Sequence, residues 1–295
     1  MLTQDEFSIL RFVYETPLCS PKEIAETTHL PFDSIEKTLN LMCERGYIAD
    51  GRITDTGMAA LEPYRVKRAI FLAAGFGSRL VPITFNTPKP LVRVNGMRMI
   101  DTLLDAVVAA DIPEIIVVRG YLSEQFDQLR YKYPRIQFIE NPGYNESNNI
   151  SSAMCVRYLF QNAYVLESDL ILRNPKLIRK YEYCSNFLGI PVKVTDDWCI
   201  STDKNGVIKS EAIGGKDCYQ MVGISYWDAD DGSKLANDLN DVFTSPGGKE
   251  RYWEQTALVY KKENYQVRIR ECSFDDVVEI DTYNELKKID KLYAL

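Results

Sequence analysis

Gly75, Phe76, Gly77, Ser78 and Arg79 stand in a row, and Lys89 follows between Pro88 and Pro90. These residue types at this spacing suit the binding of an anion. Glycine has no Cβ, so its backbone turns tightly and comes close to a ligand. Successive N–H groups in such a turn converge on negative charge. Arg79 adds a rigid fork that matches phosphate, and Lys89 adds a point charge at the end of a stiffened loop. Together they form a grip for a polyphosphate. The turn is not a Walker loop, which needs Gly-Lys-Ser/Thr, nor the dinucleotide fingerprint, which needs a third glycine. Further on, Asp169 follows an apolar run and Asp281 ends Val-Val-Glu-Ile-Asp. Magnesium favours one or two carboxylates completed by phosphate oxygens and water. Taken singly, each aspartate also suits a helix cap. His29 is the only histidine. A histidine-based triad would need that one residue, and two-histidine metal sites are excluded. Chemistry must run on carboxylates, lysine, arginine and a hard cation, and His29 itself suits a surface or helix-end role.

Elements must hold these groups on one side. Residues 69–74 are apolar enough for a buried strand. Residues 97–110 form an amphipathic helix, 114–119 a buried strand and 123–131 a helix capped by Ser123. Residues 136–139 are a short strand, 150–160 a helix and 163–167 a further strand. Alternating strands and helices predict an α/β fold with a doubly wound, mostly parallel, Rossmann-like sheet. Ligands of such sheets lie beyond the carboxyl ends of the strands. Gly75, Gly120 and Asp169 all fall at such ends. After Arg173, strands are expected at 186–194, 199–202, 207–211 and 219–227, with Asn205-Gly206 as a hairpin signal. Helices at 232–243 and 249–260, strands at 267–270 and 277–280, and a last helix capped by Thr282 complete the pattern.

Residues 1–66 read as a separate domain ahead of a larger one at 67–295. Thr3 with Glu6, Ser20 with Pro21, and Gly46 mark helix ends. Three short helices, a hairpin around residues 47–54 and a helix over 55–64 look like a winged helix-turn-helix. DNA affinity rests on phosphate neutralisation. Residues 1–68 offer eight Lys and Arg against eleven Asp and Glu. Packing, dimerisation or regulation is the expected role, with DNA the lesser one.

The chain has 295 residues and a formal net charge of −7, which argues against general nucleic-acid or anionic-membrane binding. No apolar run reaches membrane-spanning length and no basic-apolar leader opens the chain. Seven scattered cysteines without a Cys-x-x-Cys pair read as reduced thiols in cytoplasm.

The string L-A-A-G-F-G-S-R-L followed by T-P-K-P-L-V resembles the signature of nucleotidyltransferases that join an NTP to a phosphorylated sugar or alcohol. From residue 66 onward the chain is similar to bacterial phosphocholine cytidylyltransferases. V-V-R-G-Y-L-S-E-Q-F, N-P-G-Y-N-E-S-N-N, E-S-D, V-G-I-S-Y-W-D, Y-W-E and V-E-I-D carry that likeness. By position, the resemblance implies that Gly75, Gly77, Ser78 and Arg79 hold the CTP phosphates, with Ala74 and Phe76 in the same stretch. Lys89 would touch the α-phosphate, and Asp169 and Asp281 would ligate Mg²⁺. Asn149 and Ser152, with Gly120 and Tyr121, would line the base pocket. Glu167-Ser168-Asp169 stands where Asp-x-Asp is commoner, so Asp169 is preferred to Glu167.

A phosphomonoester, with a second pKa near ~6, is already a dianionic nucleophile at neutral pH, so the transfer needs no histidine. Lys193 and Lys216 are candidates for the acceptor's phosphate, or plain solvated lysines. Trp198, Tyr252, Trp253 and Glu254 are candidates for the acceptor's other end. A Trp face attracts a quaternary ammonium by roughly 0.5–2 kcal/mol. Asp196, Asp197 and Glu254 would also suit a primary ammonium that donates hydrogen bonds. The expected reaction is CMP transfer from CTP to phosphocholine, with 2-aminoethylphosphonate or phosphoethanolamine next and homo-oligomerisation possible. A second reading is a transcriptional regulator that senses a nucleotide; Lys89, Arg79 and both aspartates favour the enzyme.

Overall fold

The computed structural model describes residues 1–294. The chain divides into two compact units, Met1–Arg65 with Tyr181–Tyr183, and Val66–Lys180 with the chain from Cys184 onward.

In the first unit, α1 (Gln4–Glu15) opens on a reciprocal cap. The Glu6 N–H donates to Thr3 Oγ1 and the Thr3 N–H donates to Glu6 Oε2. α2 (Pro21–Thr28) begins the same way at Ser20 and Glu23, with Pro21 where no helical N–H is needed. His29 ends it in the left-handed region, at φ 57°. α3 (Phe32–Glu44), the hairpin β1 (Ile48–Ala49) and β2 (Arg52–Ile53), and α4 (Asp55–Leu61) follow. Their apolar faces meet around Ile9, Leu10, Ile24, Ile35 and Met42. Two tyrosines from far along the chain join that core. Tyr181 meets Tyr14 edge-on at 5.4 Å, and Tyr183 stacks on Tyr64 at 5.5 Å.

The second unit is built on β3 (Arg68–Ala73), with the small hairpin β4 (Arg93–Val94) and β5 (Met97–Arg98) leading into α5 (Met99–Ala109). Then come β6 (Glu114–Arg119), β7 (Ile136–Glu140), α6 (Ile150–Cys155), β8 (Ala163–Glu167) and β9 (Leu170–Leu172). β10 (Asn186–Thr202), β11 (Ile208–Trp227), α7 (Ala229–Thr244), β12 (Arg268–Glu271), β13 (Val277–Glu279) and α8 (Tyr283–Ile289) complete it. The seven-stranded sheet has the order β12-β10-β11-β8-β3-β6-β7. Four of its pairings are parallel; β11 runs antiparallel to both β10 and β8. Along β3 the side chains alternate between two cores. Phe71 joins Leu103, Leu104 and Val107 of α5, whereas Ile70 joins Ile150 of α6 and Leu235 and Leu239 of α7. The sheet is thus wound on both faces.

Four expected strands and three expected helices differ. The strands at 186–194 and 199–202 are one strand, as are those at 207–211 and 219–227. Register shifts between Thr195 and Trp198 carry the polar residues through without ending the pairing. Residues 249–260 are not a helix but a 3₁₀ turn at Gly248–Glu250 and a π turn at Thr256–Tyr260. There the Trp253 N–H donates to the Asn149 side chain and Lys249 O accepts from Asn148 N, so a distant loop takes up helical hydrogen-bonding groups. Residues 123–131 wind as 3₁₀ turns, preceded by Leu122 in the left-handed region and without a Ser123 side-chain cap. The helix expected at 150–160 stops at Cys155 and a 3₁₀ turn follows.

Candidate active site

The glycine turn leaves the carboxyl end of β3. Gly77 sits at φ +69°, and a Cβ there would stand 2.9 Å from Lys89 Cβ. The position therefore needs glycine twice, for its backbone and for the lysine stem behind it. Thr84 Oγ1 donates to Gly77 O at 3.0 Å. Tyr121, just past β6, donates its hydroxyl to Thr84 O at 2.8 Å and its N–H to Ala74 O at 3.0 Å. Its ring meets Phe76 edge-on at 4.7 Å. A Cβ on Gly120 would meet the Tyr144 ring at 2.7 Å. Tyr121 is thus packed against the loop that carries Lys89, and Gly120 against Tyr144.

The carboxylates come from two antiparallel strands. β13 pairs with β9, setting Glu279 opposite Leu170, and Ile280 N donates to Asp169 O at 3.3 Å. Glu-x-Asp occurs twice: Glu167-Ser168-Asp169 joins the end of β8 to the start of β9, and Glu279-Ile280-Asp281 runs off the end of β13. The carboxylates of Glu167, Asp169 and Glu279 converge, while Ser168 turns back to donate to Leu72 O at 2.8 Å. Lys89 Nζ lies between the two ends, 2.8 Å from Asp169 Oδ2 and 3.0 Å from Asp281 Oδ1. Arg79 reaches the other Asp281 oxygen at 2.7 Å. Neither aspartate is a helix cap: Asn174 and Thr282 hold those positions.

Burial works to lower the Lys89 pKa, but the charges and hydrogen bonds of Asp169 and Asp281 outweigh it and the net shift is upward. Burial, then the charges of Asp169 and Glu254, push the Glu167 carboxyl well above its ordinary range. Burial, then Asp169 and Asp281, do the same to Glu279. Carboxylate oxygens of Glu167, Asp169 and Glu279 lie within 4.8 Å of one another, and Asp169 Oδ1 is enclosed without a partner. All-oxygen donors converging around an orphaned oxygen fit a hard divalent cation. Glu279 was not singled out in the sequence; the repeated Glu-x-Asp is the signal that could have found it.

Beyond the acids lies a cavity of about 240 Å³, with Asp197, Gln220, Met221, Glu279 and Asp281 in its walls. Met221 also lines a smaller cavity with Glu167, Trp253 and Glu254. Trp198 and Tyr252 meet edge-on at 5.2 Å. Trp253 is a core residue, 2 % exposed and packed on Phe160, Phe187 and Trp227, with the smaller cavity beside it. Asn149 joins this side to the acids: its Oδ1 accepts from Trp253 N at 3.0 Å and its Nδ2 donates to Glu167 at 3.5 Å. Ser152 is buried, and its hydroxyl accepts from Asn141. Lys193 and Lys216 lie exposed on the β10–β11 hairpin. Glu211, also on β11, accepts from Gln255 Nε2 at 3.3 Å. Burial raises its carboxyl to about 7; burial and then the Glu211 charge raise Glu254 to about 8.

A doubly wound sheet thus carries cations and paired acids at one rim, and comparison with known proteins places the chain among nucleotidyltransferases. Residues 68–187 match the family model described as nucleotidyl transferase. The chain is 36% identical to a 2-aminoethylphosphonate cytidylyltransferase of Lancefieldella rimae over 77% of this chain and 93% of that one. It is 29% identical to a choline-phosphate cytidylyltransferase of Streptococcus pneumoniae over 76% of this chain and 97% of that one. A solved structure of CTP:phosphocholine cytidylyltransferase from S. pneumoniae superimposes with a TM-score of 0.71, covering 77% of this chain and 99% of that one, at 29% identity. The chain belongs to the nucleotidyl transferase family and is an enzyme of the cytidylyltransferase kind. Among the described residues no helix is long and apolar enough to cross a membrane.

Proposed function

We propose that the enzyme transfers CMP from CTP to a small ammonium-bearing phosphonate or phosphate, with 2-aminoethylphosphonate as the favoured acceptor. The observation that carries this reading is Lys89 held between Asp169 and Asp281 behind the glycine turn. Residues 74–79 would hold the triphosphate, and Lys89 the α-phosphate. An acceptor oxygen attacks the α-phosphorus, a new P–O bond forms, and the bond to pyrophosphate breaks. Positioning and charge stabilisation supply the rate. Asp169 and Asp281, with Glu167 and Glu279, are the residues that would hold Mg²⁺. When bound, it supplies positive charge to the phosphates and the leaving pyrophosphate. Gly120, Tyr121, Asn149 and Ser152 belong with the base pocket in this reading.

The enclosed acids Glu211 and Glu254 support an ammonium that donates hydrogen bonds, and the L. rimae relative supports a phosphonate. A second reading, phosphocholine, rests on the Trp198–Tyr252 pair, whose faces suit a quaternary ammonium. Residues 1–66 are read as an acidic winged-helix module with a packing or regulatory role in a cytoplasmic enzyme.

Pyrophosphate release from CTP and magnesium, measured against a panel of amino-alcohol phosphates and phosphonates, tests the proposal. Turnover is expected with 2-aminoethylphosphonate. No turnover with any acceptor, alongside tight salt-sensitive binding to a defined DNA site, would replace it with the regulator reading.

A further inference from the structure

Two acids beside the aromatic pair have a use that phosphate binding does not explain. Glu254 is 3 % exposed, and its Oε2 is enclosed without a hydrogen-bond partner. Glu211 Oε2 is enclosed and unpartnered as well. An enclosed carboxylate oxygen without a donor is costly, so a donor is wanted there. Residues 252–255 bind the two acids and the two aromatics into one group. Tyr252 touches Trp198; Glu254 lines the cavity beside Glu167; Gln255 donates to Glu211 Oε1 and accepts from Tyr252 N at 3.3 Å. On the opposite side, Trp198 of β10 pairs with Ile213 of β11, two residues from Glu211. Gln255 occupies one oxygen of Glu211 and leaves the other without a donor.

We propose that Glu211 and Glu254 are the hydrogen-bond acceptors for the acceptor's ammonium, and that they select a primary ammonium over a fully methylated one. This rests on the functional reading above. A primary ammonium carries three N–H donors, enough for both unpartnered oxygens. A trimethylammonium carries none and leaves both unsatisfied, although the aromatic faces still attract its charge. A site built to hydrogen-bond its ligand rejects an analogue without donors far more strongly than an apolar pocket rejects a methyl group. Gln255 acts as a positioning residue, fixing which Glu211 oxygen is available.

The test is a methylation series. Wild-type protein, Glu211→Gln and Glu254→Gln are assayed with CTP, magnesium and 2-aminoethylphosphonate bearing zero to three N-methyl groups. CTP titration and thermal melting follow the fold. Wild-type kcat/KM is expected to fall by about a hundredfold across the series, mainly through KM. Each substitution is expected to shrink that ratio by about tenfold. Glu211, on the part of β11 that lies beyond its pairing with β8, decides the matter if Glu254→Gln does not fold. A wild-type profile flat in methylation, or rising with it, overturns the assignment while leaving the cytidylyltransferase reading standing. An unchanged ratio in folded variants also overturns it. Absence of turnover with every member removes the functional reading itself.

Discussion

Lys89 Nζ lies between Asp169 and Asp281 where the carboxylates converge, so the ammonium neutralises charge that would otherwise repel. Lys89→Met keeps the apolar stem and removes the charge. We expect turnover to drop at least about a hundredfold and stability to fall by about 3 kcal/mol, the usual result of stripping one partner from a buried pair. Magnesium should then raise the melting temperature of the variant more than that of the wild type, since a cation can replace the lost one; equal shifts in both would remove the acids as cation ligands. Glu211 makes a pH prediction. Its carboxyl stands at about 7 in the fold against an ordinary 4.5, so the native state keeps a proton that the unfolded chain has lost. The Glu211 contribution to native stability is therefore fully present below about pH 4.5, declines as pH rises to about 7, and changes no further beyond, by at most about 3 kcal/mol in all. Glu211→Gln does not titrate, so its melting advantage over wild type should grow between about pH 5 and about pH 8. A constant difference would mean that Glu211 is charged throughout. Lys89, Arg79, Asp169 and Asp281 were readable because charged residues beside glycine, proline or a strand end are locally conspicuous. Glu211 was not: it is one glutamate inside a strand, and its importance comes from residues far away in the chain; Glu279 was marked only by the repetition of Glu-x-Asp.

Among the elements, the glycine turn is the one whose shape decides chemistry. Gly77 combines a left-handed φ with a backbone pressed on the Lys89 stem, whereas Gly96, at φ +85°, has nothing within 4 Å of where a Cβ would stand. Gly96→Ala meets backbone strain alone, about 1 kcal/mol. Gly77→Ala meets that strain and also displaces Lys89. Both should lower the melting temperature, but only Gly77→Ala should depress kcat/KM for CTP, by about tenfold or more. Equal catalytic effects would show that the turn does not set the lysine. The rim strands β3, β6 and β8 were legible because a strand covered on both faces is a continuous apolar run. The β10–β11 hairpin and residues 249–260 were less so. Their paths depend on bulges and on hydrogen bonds donated to Asn149 and by Asn148, which no local pattern announces.

At the scale of the whole molecule, the linear order of the chain and its division into compact units do not coincide. The first unit takes Tyr181–Tyr183 from the middle of the later sequence. Tyr181 is 1 % exposed and packs edge-on against Tyr14, while Tyr183 stacks on Tyr64 and tilts against Phe7. The sequence pattern placed a boundary near residue 66 but could not include these tyrosines, since such a contact spans more than a hundred residues of chain. Removal of residues 1–65 therefore does more than delete a module. It strips the aromatic partners from Tyr181 and Tyr183 and leaves two rings bared to water, each having buried on the order of 150–250 Å². The shortened chain should aggregate at concentrations where the full chain is monodisperse, as contiguous exposed apolar surface does. Tyr181→Ser with Tyr183→Ser, made in the shortened chain, should restore solubility without the first unit. Size-exclusion profiles of the three proteins check this. A shortened chain as soluble as the whole, with unaltered melting, would mean that the two tyrosines are indifferent to losing those partners.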